Sequence, residues 1–320
     1  MESSGAGRRR ARRSRRRRPL VHTVLAVVAV GGVTAGGTVY VKARAHSGAG
    51  AVSSAAQPSA SSSAAAGEEA SVEPATSPSA VDRKALLSKA MASVTVPWGA
   101  QVSAAVLEPD SGESAAYGEA AFDTASIVKV DILATLLLQA QDAGRRLTAA
   151  ERQYAAKMIE NSDNASATAL WHTIGRAGGL DAANERFGLS ATSGGDGGLW
   201  GLTQTTATDQ LVLLQQVFGR ESLLSAASRT YAQGLMKGVE ADQQWGVSAA
   251  AVGSSWALKN GWMPRSATGL WDVNSIGRVT VDGTDFLVAV LSRGAVTQAQ
   301  GIALVEAAAK AAVTGFASAS

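Results

Sequence analysis

Apolar residues are distributed along this chain in three regimes. Residues 20–41 form an uninterrupted run without Asp, Glu, Lys or Arg, long enough to span a bilayer. Residues 46–79 are mostly Ala, Ser, Gly, Pro and Glu, with no aromatic residue and no apolar period, which reads as a flexible spacer. From Val81 onward the apolar positions recur at helical and strand spacings, so the folded part begins there.

Leu86, Leu87, Ala90 and Met91 sit at helical spacing in residues 81–94, and residues 102–107 then alternate like a strand. Pro109-Asp110-Ser111-Gly112 is a turn cluster, after which residues 113–117 return as the hairpin partner. The middle of the chain is helical. A helix over residues 126–142 ends near Gly144, and the next opens at Thr148-Ala149-Ala150-Glu151, which has capping-box spacing. Further helices are predicted over 164–175, 180–187, 205–218 and 222–236. Strands are expected over 255–259, 271–281 and 286–293, with Asp282-Gly283 as a tight hairpin turn, and an Ala-rich helix over 296–313 closes the chain. Strands at both ends with helices between them imply an α+β fold. Its first and last strands would meet in a five-stranded antiparallel sheet flanked by terminal helices, beside a helical lobe. A cleft between the lobes is the expected place for a site.

The formal charge of +3 conceals an asymmetry. Nine arginines fall in residues 1–19 against one acid, Glu2, so residues 46–320 are net acidic and a nucleic-acid groove is poorly supported. An arginine-rich arm can bind nucleic acid, but here it directly precedes the apolar run, where it would hold that end in the cytoplasm. The expectation is a basic cytoplasmic segment (1–19), a transmembrane signal-anchor (20–41), a linker (42–80) and an extracytoplasmic domain (81–316) on a single-pass plasma-membrane protein. Ala43-Arg44-Ala45 also fits a signal-peptidase site, so secretion after cleavage near Ala45 stays open.

The 320 residues include no cysteine, which excludes a thiol nucleophile and Cys-ligated zinc. Of three histidines, His22 and His46 fall in the apolar run and the spacer. A metal cluster or His-based triad is therefore not expected, and no cofactor is implied. His172, beside Trp171, reads as a helix-surface or core residue. The tryptophans 171, 200, 245, 256, 262 and 271 read as core, with Trp262 placed to wall a cleft.

Three short polar clusters remain. Ser126 and Lys129 are three apart at the start of a predicted helix and share a face, so a lysine of lowered pKa could take the serine proton. A helix-capping serine beside a solvated lysine would look the same. Ser162-Asp163-Asn164 joins two helices and equally suits a turn with an N-cap. Lys259-Asn260-Gly261 follows an apolar stretch and could be an Asn-Gly hairpin turn, although Met263-Pro264-Arg265 does not continue as a mirrored strand.

Taken in order, Ser-x-x-Lys, Ser-Asp-Asn and Lys-x-Gly resemble the signature of class A β-lactamases and penicillin-binding proteins. The resemblance runs from about Val81 to Ala312 and includes Phe122–Val130 and the Thr205-Thr206-Ala207 helix opening. It implies a β-lactamase/transpeptidase-like fold with Ser126 as nucleophile, Lys129 as its base and Ser162 as proton relay. It further implies that Asn164, Lys259 and Gly261 bind substrate, and that the backbone N–H groups of Ser126 and Trp262 form the oxyanion hole. The substrate so implied is a β-lactam or a peptidoglycan peptide, handled by a monomer.

The sequence departs from that pattern where deacylation is concerned. The family's omega-loop glutamate is missing from residues 193–201, which are glycine-rich with Asp196 as their single carboxylate; Glu185 reads as solvent-exposed on the preceding helix. Asn260 stands where Thr is usual, Trp262 is bulky for its position, and the short interval between Ser126 and Ser162 implies a trimmed helical lobe. Acylation with slow β-lactam turnover is the expectation. A DD-carboxypeptidase-type enzyme and a catalytically weak envelope-binding module of the same fold are the alternatives.

Overall fold

The computed structural model describes residues 82–318. The basic segment, the apolar run and the linker inferred for residues 1–80 lie outside the described residues, and no helix among those described is long and apolar enough to cross a membrane.

Among the described residues, eight α-helices and seven strands follow one another in the order α1 (Arg83–Met91), β1 (Gln101–Leu107), β2 (Ser114–Tyr117), β3 (Phe122–Asp123), α2 (Val128–Asp142), α3 (Ala149–Glu160), α4 (Asn164–Thr173), α5 (Arg176–Phe187), β4 (Gln204–Thr205), α6 (Ala207–Phe218), α7 (Ala226–Lys237), β5 (Trp256–Pro264), β6 (Trp271–Val281), β7 (Thr284–Ala295) and α8 (Gln298–Ala317). The sheet is five-stranded and antiparallel, in the order β2-β1-β7-β6-β5, so the first and last strands do meet, through β1 and β7.

Alternation along the strands divides the core in two. On β7, Leu287, Ala289 and Leu291 face the helical lobe, whereas Phe286, Val288 and Val290 face the terminal helices. On β1, Ala105 and Leu107 join the first cluster, and Ala104 and Val106 the second. Because helices cover both faces, these strands read as continuous apolar runs rather than strict alternation. In α8, Gly301 and Gly315 allow close packing: a Cβ on Gly301 would come within 2.4 Å of the Val273 side chain, and one on Gly315 within 2.4 Å of Ala90.

Local signals behave as their chemistry dictates. The capping box at Thr148/Glu151 is formed, with Glu151 N donating to Thr148 Oγ1 at 3.2 Å and Thr148 N to Glu151 Oε2 at 2.7 Å. Asp282 and Gly283 both take left-handed φ, 49° and 85°, as a two-residue hairpin between β6 and β7 demands.

Three elements differ from expectation. Helix α5 begins at Arg176 rather than near Leu180, because Gly178 and Gly179 lie inside it; a Cβ on Gly179 would fall 1.7 Å from the Ile174 carbonyl oxygen, so that glycine is a packing requirement and not a breaker. Ser126 is not in the α-helix but in a 3-10 turn, Ala125–Ile127, ahead of α2. Finally, β5 runs through Lys259, Asn260 and Gly261 as far as Pro264, paired residue by residue with β6, which removes the Asn-Gly hairpin reading.

Candidate active site

The turn bearing Ser126 is held from three sides. Behind it, β3 pairs with β4 (Phe122 opposite Thr205), and Thr124 N donates to Thr203 O at 2.9 Å. Below it, the buried Asn274 on β6 donates from Nδ2 to the Asp123 and Thr124 carbonyls at 2.9 and 3.0 Å, while its Oδ1 accepts from Ser292 N at 3.0 Å. Beside it runs β5 at Gly261, where a Cβ would lie 2.7 Å from Ser126 N, 2.7 Å from Thr124 O and 2.8 Å from Ile127 N. Only a glycine lets that strand approach so closely. Ala125, just before Ser126, has φ 47°, an uncommon conformation for a residue with a Cβ and one that persists where surrounding contacts enforce it.

Four of the residues singled out by sequence converge beneath that turn. The buried Lys129 Nζ donates to Ser162 O at 2.6 Å, Ser162 Oγ at 3.0 Å and Asn164 Oδ1 at 2.8 Å. The equally buried Lys259 Nζ donates to the same Ser162 Oγ at 3.0 Å, to Asn260 O at 3.0 Å and to Gln243 Oε1 at 3.4 Å. One hydroxyl therefore bridges two amines from opposite lobes. Ser162 is presented by its own left-handed backbone, φ 56°, while Asp163 caps α4 by accepting from Ser166 N at 2.7 Å. The turn and N-cap reading of that cluster is thus correct, and the same turn brings the Ser162 hydroxyl against both lysines. Lys129 spends its donors on Ser162 and Asn164, and no hydrogen bond joins it to Ser126 among the described residues.

Burial depresses both amines. Desolvation lowers Lys129 to about 7 despite the opposing attraction of Asp163, and desolvation, reinforced by the neighbouring Lys129, holds Lys259 well below the ordinary lysine range.

Ser126 opens into a crevice of about 340 Å³ lined also by Ala125, Asn164, Thr168, Leu199, Trp200, Leu202, Trp262 and Met263. Trp262 walls this crevice as expected. Trp200, which the sequence assigned to the core, lines it too: its ring lies 4.9 Å from Lys129 Nζ and its Nε1 donates to Thr168 Oγ1 at 3.2 Å. The glycine-rich segment that carries Trp200 is pinned to the helical lobe by Trp171 Nε1 donating to Gly197 O at 2.8 Å and Gly194 N donating to Asp181 Oδ1 at 2.7 Å. Asp196 and Glu185 are exposed, and no residue lining the crevice is acidic. Asn260 turns its amide to the Gln243 and Trp245 carbonyls, at 2.8 and 2.9 Å, away from the crevice lining. Gln243, Asn274 and Trp200 carry no sequence motif, so sequence reading could not have selected them.

One buried acid lies on the same helix. Asp131 accepts from Asn184 Nδ2 at 3.0 Å and leaves Oδ1 unpaired. Burial, with Asp181 and Asp209 nearby, outweighs that hydrogen bond and pushes it up to about 7. A folded-state value raised above the unfolded one gives stability that is present below about pH 4 and lost as pH rises through about 7. Across that interval the effect is about 4 kcal/mol. Asp131→Asn is therefore expected to be more stable than the parent at pH 8 and to show a flatter decline between pH 5 and 8 by calorimetry. Parallel pH profiles for the two proteins would refute the assignment.

The sequence model described as the β-lactamase enzyme family matches residues 138–316, which include Ser162, Asn164 and Lys259 and begin after Ser126 and Lys129. A search of curated proteins finds no match. Among solved structures, a class A β-lactamase representative from Bacteroides cellulosilyticus superposes with TM-score 0.62 at 16% identity, covering 74% of this chain and 99% of that one. A β-lactamase from Xanthomonas campestris gives 0.57 at 18%, covering 72% and 95%. A mutant of PBP-A, solved as an acyl-enzyme complex with penicillin G, gives 0.61 at 19%, covering 73% and 97%. At such identity these neighbours speak to the fold, which is that of β-lactamases and PBP-A; the match over residues 138–316 goes further, and by it the chain belongs to the β-lactamase enzyme family.

Proposed function

We propose that the protein is an acyl-transferring serine hydrolase with Ser126 as nucleophile, acting on a cell-wall peptide amide or a β-lactam and releasing β-lactam products slowly. The observation that carries this reading is the bridge beneath Ser126, in which Ser162 Oγ accepts from both Lys129 and Lys259. Ser126 Oγ attacks the carbonyl carbon, its proton passing to neutral Lys129. The oxyanion is held by the backbone N–H groups of Ser126 and Trp262. Collapse breaks the C–N bond as Ser162 delivers a proton to the leaving nitrogen and is resupplied from the amines. Asn164, whose Oδ1 is held by Lys129, keeps its Nδ2 for a substrate carbonyl, and Gly261 lets the β5 edge lie against the acyl group. Lys259 contributes what positive charge the pair retains. Hydrolysis by water then frees Ser126. No carboxylate borders the crevice to activate that water, which supports slow deacylation.

Prolonged exposure to penicillin G should add the mass of the intact drug to the protein, since ring opening loses no atoms, and the adduct should persist for many turnover times of an efficient β-lactamase. Ser126→Ala should carry none. Absence of any adduct on correctly folded protein would remove the acyl-serine reading. Brisk, continuous nitrocefin hydrolysis would remove only the slow release.

We further place the domain outside the plasma membrane, on the strength of the arginine-rich residues 1–19 followed by the apolar run 20–41. Full-length protein should sediment with membranes and be cleaved by protease added to intact spheroplasts; recovery as a shortened soluble form would instead indicate cleavage near Ala45.

A further inference from the structure

We propose that a second cavity, at the end of α2 remote from Ser126, binds a phosphate ester that carries a small apolar group. This cavity measures about 500 Å³ and is lined by the last turns of α2, the loop to α3, the start of α3 and the first turn of α7. That volume suits a small molecule. Because a helix rises about 1.5 Å per residue, the cavity lies on the order of 20 Å from the nucleophile, and the proposal does not depend on the acyl-serine reading.

Charge is the first observation. Arg145, Arg146 and Arg152 line the cavity and no acid does, although residues 46–320 are net acidic. Arg145 is neutralised, its Nη1 and Nη2 each donating to a Glu151 carboxylate oxygen at 2.9 Å. The other two arginines have no ion pair among the described residues: Arg152 donates from Nη1 to Leu147 O, and the Arg146 guanidinium meets no acceptor. Asp142, close by in sequence, is already paired with Arg186. Two cations without counter-ions therefore share one concavity.

The first turn of α7 adds to them. Ser225 Oγ caps this helix by accepting from Ser228 N at 3.2 Å, and Ala227, whose N–H belongs to the same open turn, lines the cavity. The carbonyls at the end of α2, which would repel an anion, are taken: Gln139, Ala140 and Gln141 accept from the backbone N–H groups of Ala143, Arg145 and Gly144. Donors from a loop, from α3 and from α7 approach from different directions. That arrangement suits the tetrahedral oxygens of a phosphate better than the coplanar pair of a carboxylate.

The second observation is the apolar floor. Leu137, Ala140 and Leu147 lie beneath the arginines, beside Tyr231, whose hydroxyl is turned to Arg152 O at 3.2 Å. Inorganic phosphate would leave this surface wet, whereas the organic group of an ester would cover it.

Full-length protein in a nonionic detergent, titrated calorimetrically, tests this with phenyl phosphate, inorganic phosphate and phenol. Phenyl phosphate should bind one per protein, at least about tenfold tighter than inorganic phosphate, and phenol should not bind. Arg146→Ala and Arg152→Gln should each weaken phenyl phosphate about tenfold or more. Arg146→Ala should also melt with the parent, since its guanidinium holds nothing in place. Doping the micelles with phosphatidylglycerol, and not with phosphatidylcholine, should displace phenyl phosphate if the natural occupant is a lipid headgroup; indifference to both assigns the site to a soluble phosphate ester. Undiminished binding in both arginine variants, no binding by the parent at millimolar concentration, or equal affinity for phenol overturns the proposal.

Discussion

Lys129→Met is expected to lower the acylation rate on the order of 10²–10⁴-fold, the range associated with loss of a positioned general base, while the fold survives. Methionine approximates the volume of the lysine stem but cannot take a proton. In the parent, the Lys129 amine is depressed to about 7, so acylation should rise with pH through that value as the neutral form accumulates. The variant should lack that ascending limb, and Lys129→Arg, whose charge persists throughout, should be as inactive as the Met variant.

Stability should move little, because two effects oppose. Holding Lys129 at about 7 instead of 10.5 corresponds to about 5 kcal/mol. Since the folded value is depressed, that contribution is present above pH 10.5 and lost as pH falls through 7, so it lies outside the acidic window governed by Asp131. Replacing the amine relieves this loss but strips Ser162 O and Asn164 Oδ1 of their donor, at about 1–3 kcal/mol for each buried acceptor left unpaired. Rates of acylation by stopped flow and melting temperatures at pH 7 check both halves. An active Lys129→Met variant with an unchanged pH profile would assign the base elsewhere.

The second large effect is expected from Gly261→Ala, a change of one methyl group. The added carbon would meet three backbone atoms of the nucleophile turn at 2.7–2.8 Å, and none of them belongs to a flexible side chain that could swing aside. Either β5 or the Ser126 turn must retreat. The turn is tied by Asn274 to the Asp123 and Thr124 carbonyls, and β5 is laddered to β6 across Asn260, Gly261 and Trp262. A displacement approaching 1 Å between nucleophile and oxyanion donors lowers the rate on the order of 10²-fold. Overpacking should also reduce stability by about 1–3 kcal/mol. Acylation within twofold of the parent would mean that the strand and the turn accommodate the methyl group and that the close approach has no part in catalysis.

Much of the fold was legible because local chemistry and global packing agree. The capping box at Thr148, the Asp282-Gly283 turn and the apolar stretches of β1 and β7 each act over a few residues, and their signals do not depend on distant parts of the chain. The clusters at Ser126, Ser162 and Lys259 were legible as well, because their order along the chain matches a family pattern. What misled was any residue whose role is set by a distant neighbour. The helix expected over 180–187 begins earlier, at Arg176, and passes through Gly178 and Gly179, where the Ile174 carbonyl fills the space of a side chain on Gly179. Asn260-Gly261 suggested a turn, yet β6 supplies a partner for every residue of the strand that contains it.

By itself the amino-acid sequence determined the α+β architecture, the ordered serine and lysine clusters at residues 126–129, 162–164 and 259–261, and the lack of a glutamate in the glycine-rich segment 193–201, since each follows from residue type and order. Tertiary structure alone decided that one serine hydroxyl bridges two lysines, that Asn274 and Gly261 position the turn carrying Ser126, and that Trp200 lines the crevice. Those properties depend on distances between segments more than thirty residues apart. Such distances are set by how two lobes pack, and no local pattern of side chains encodes them.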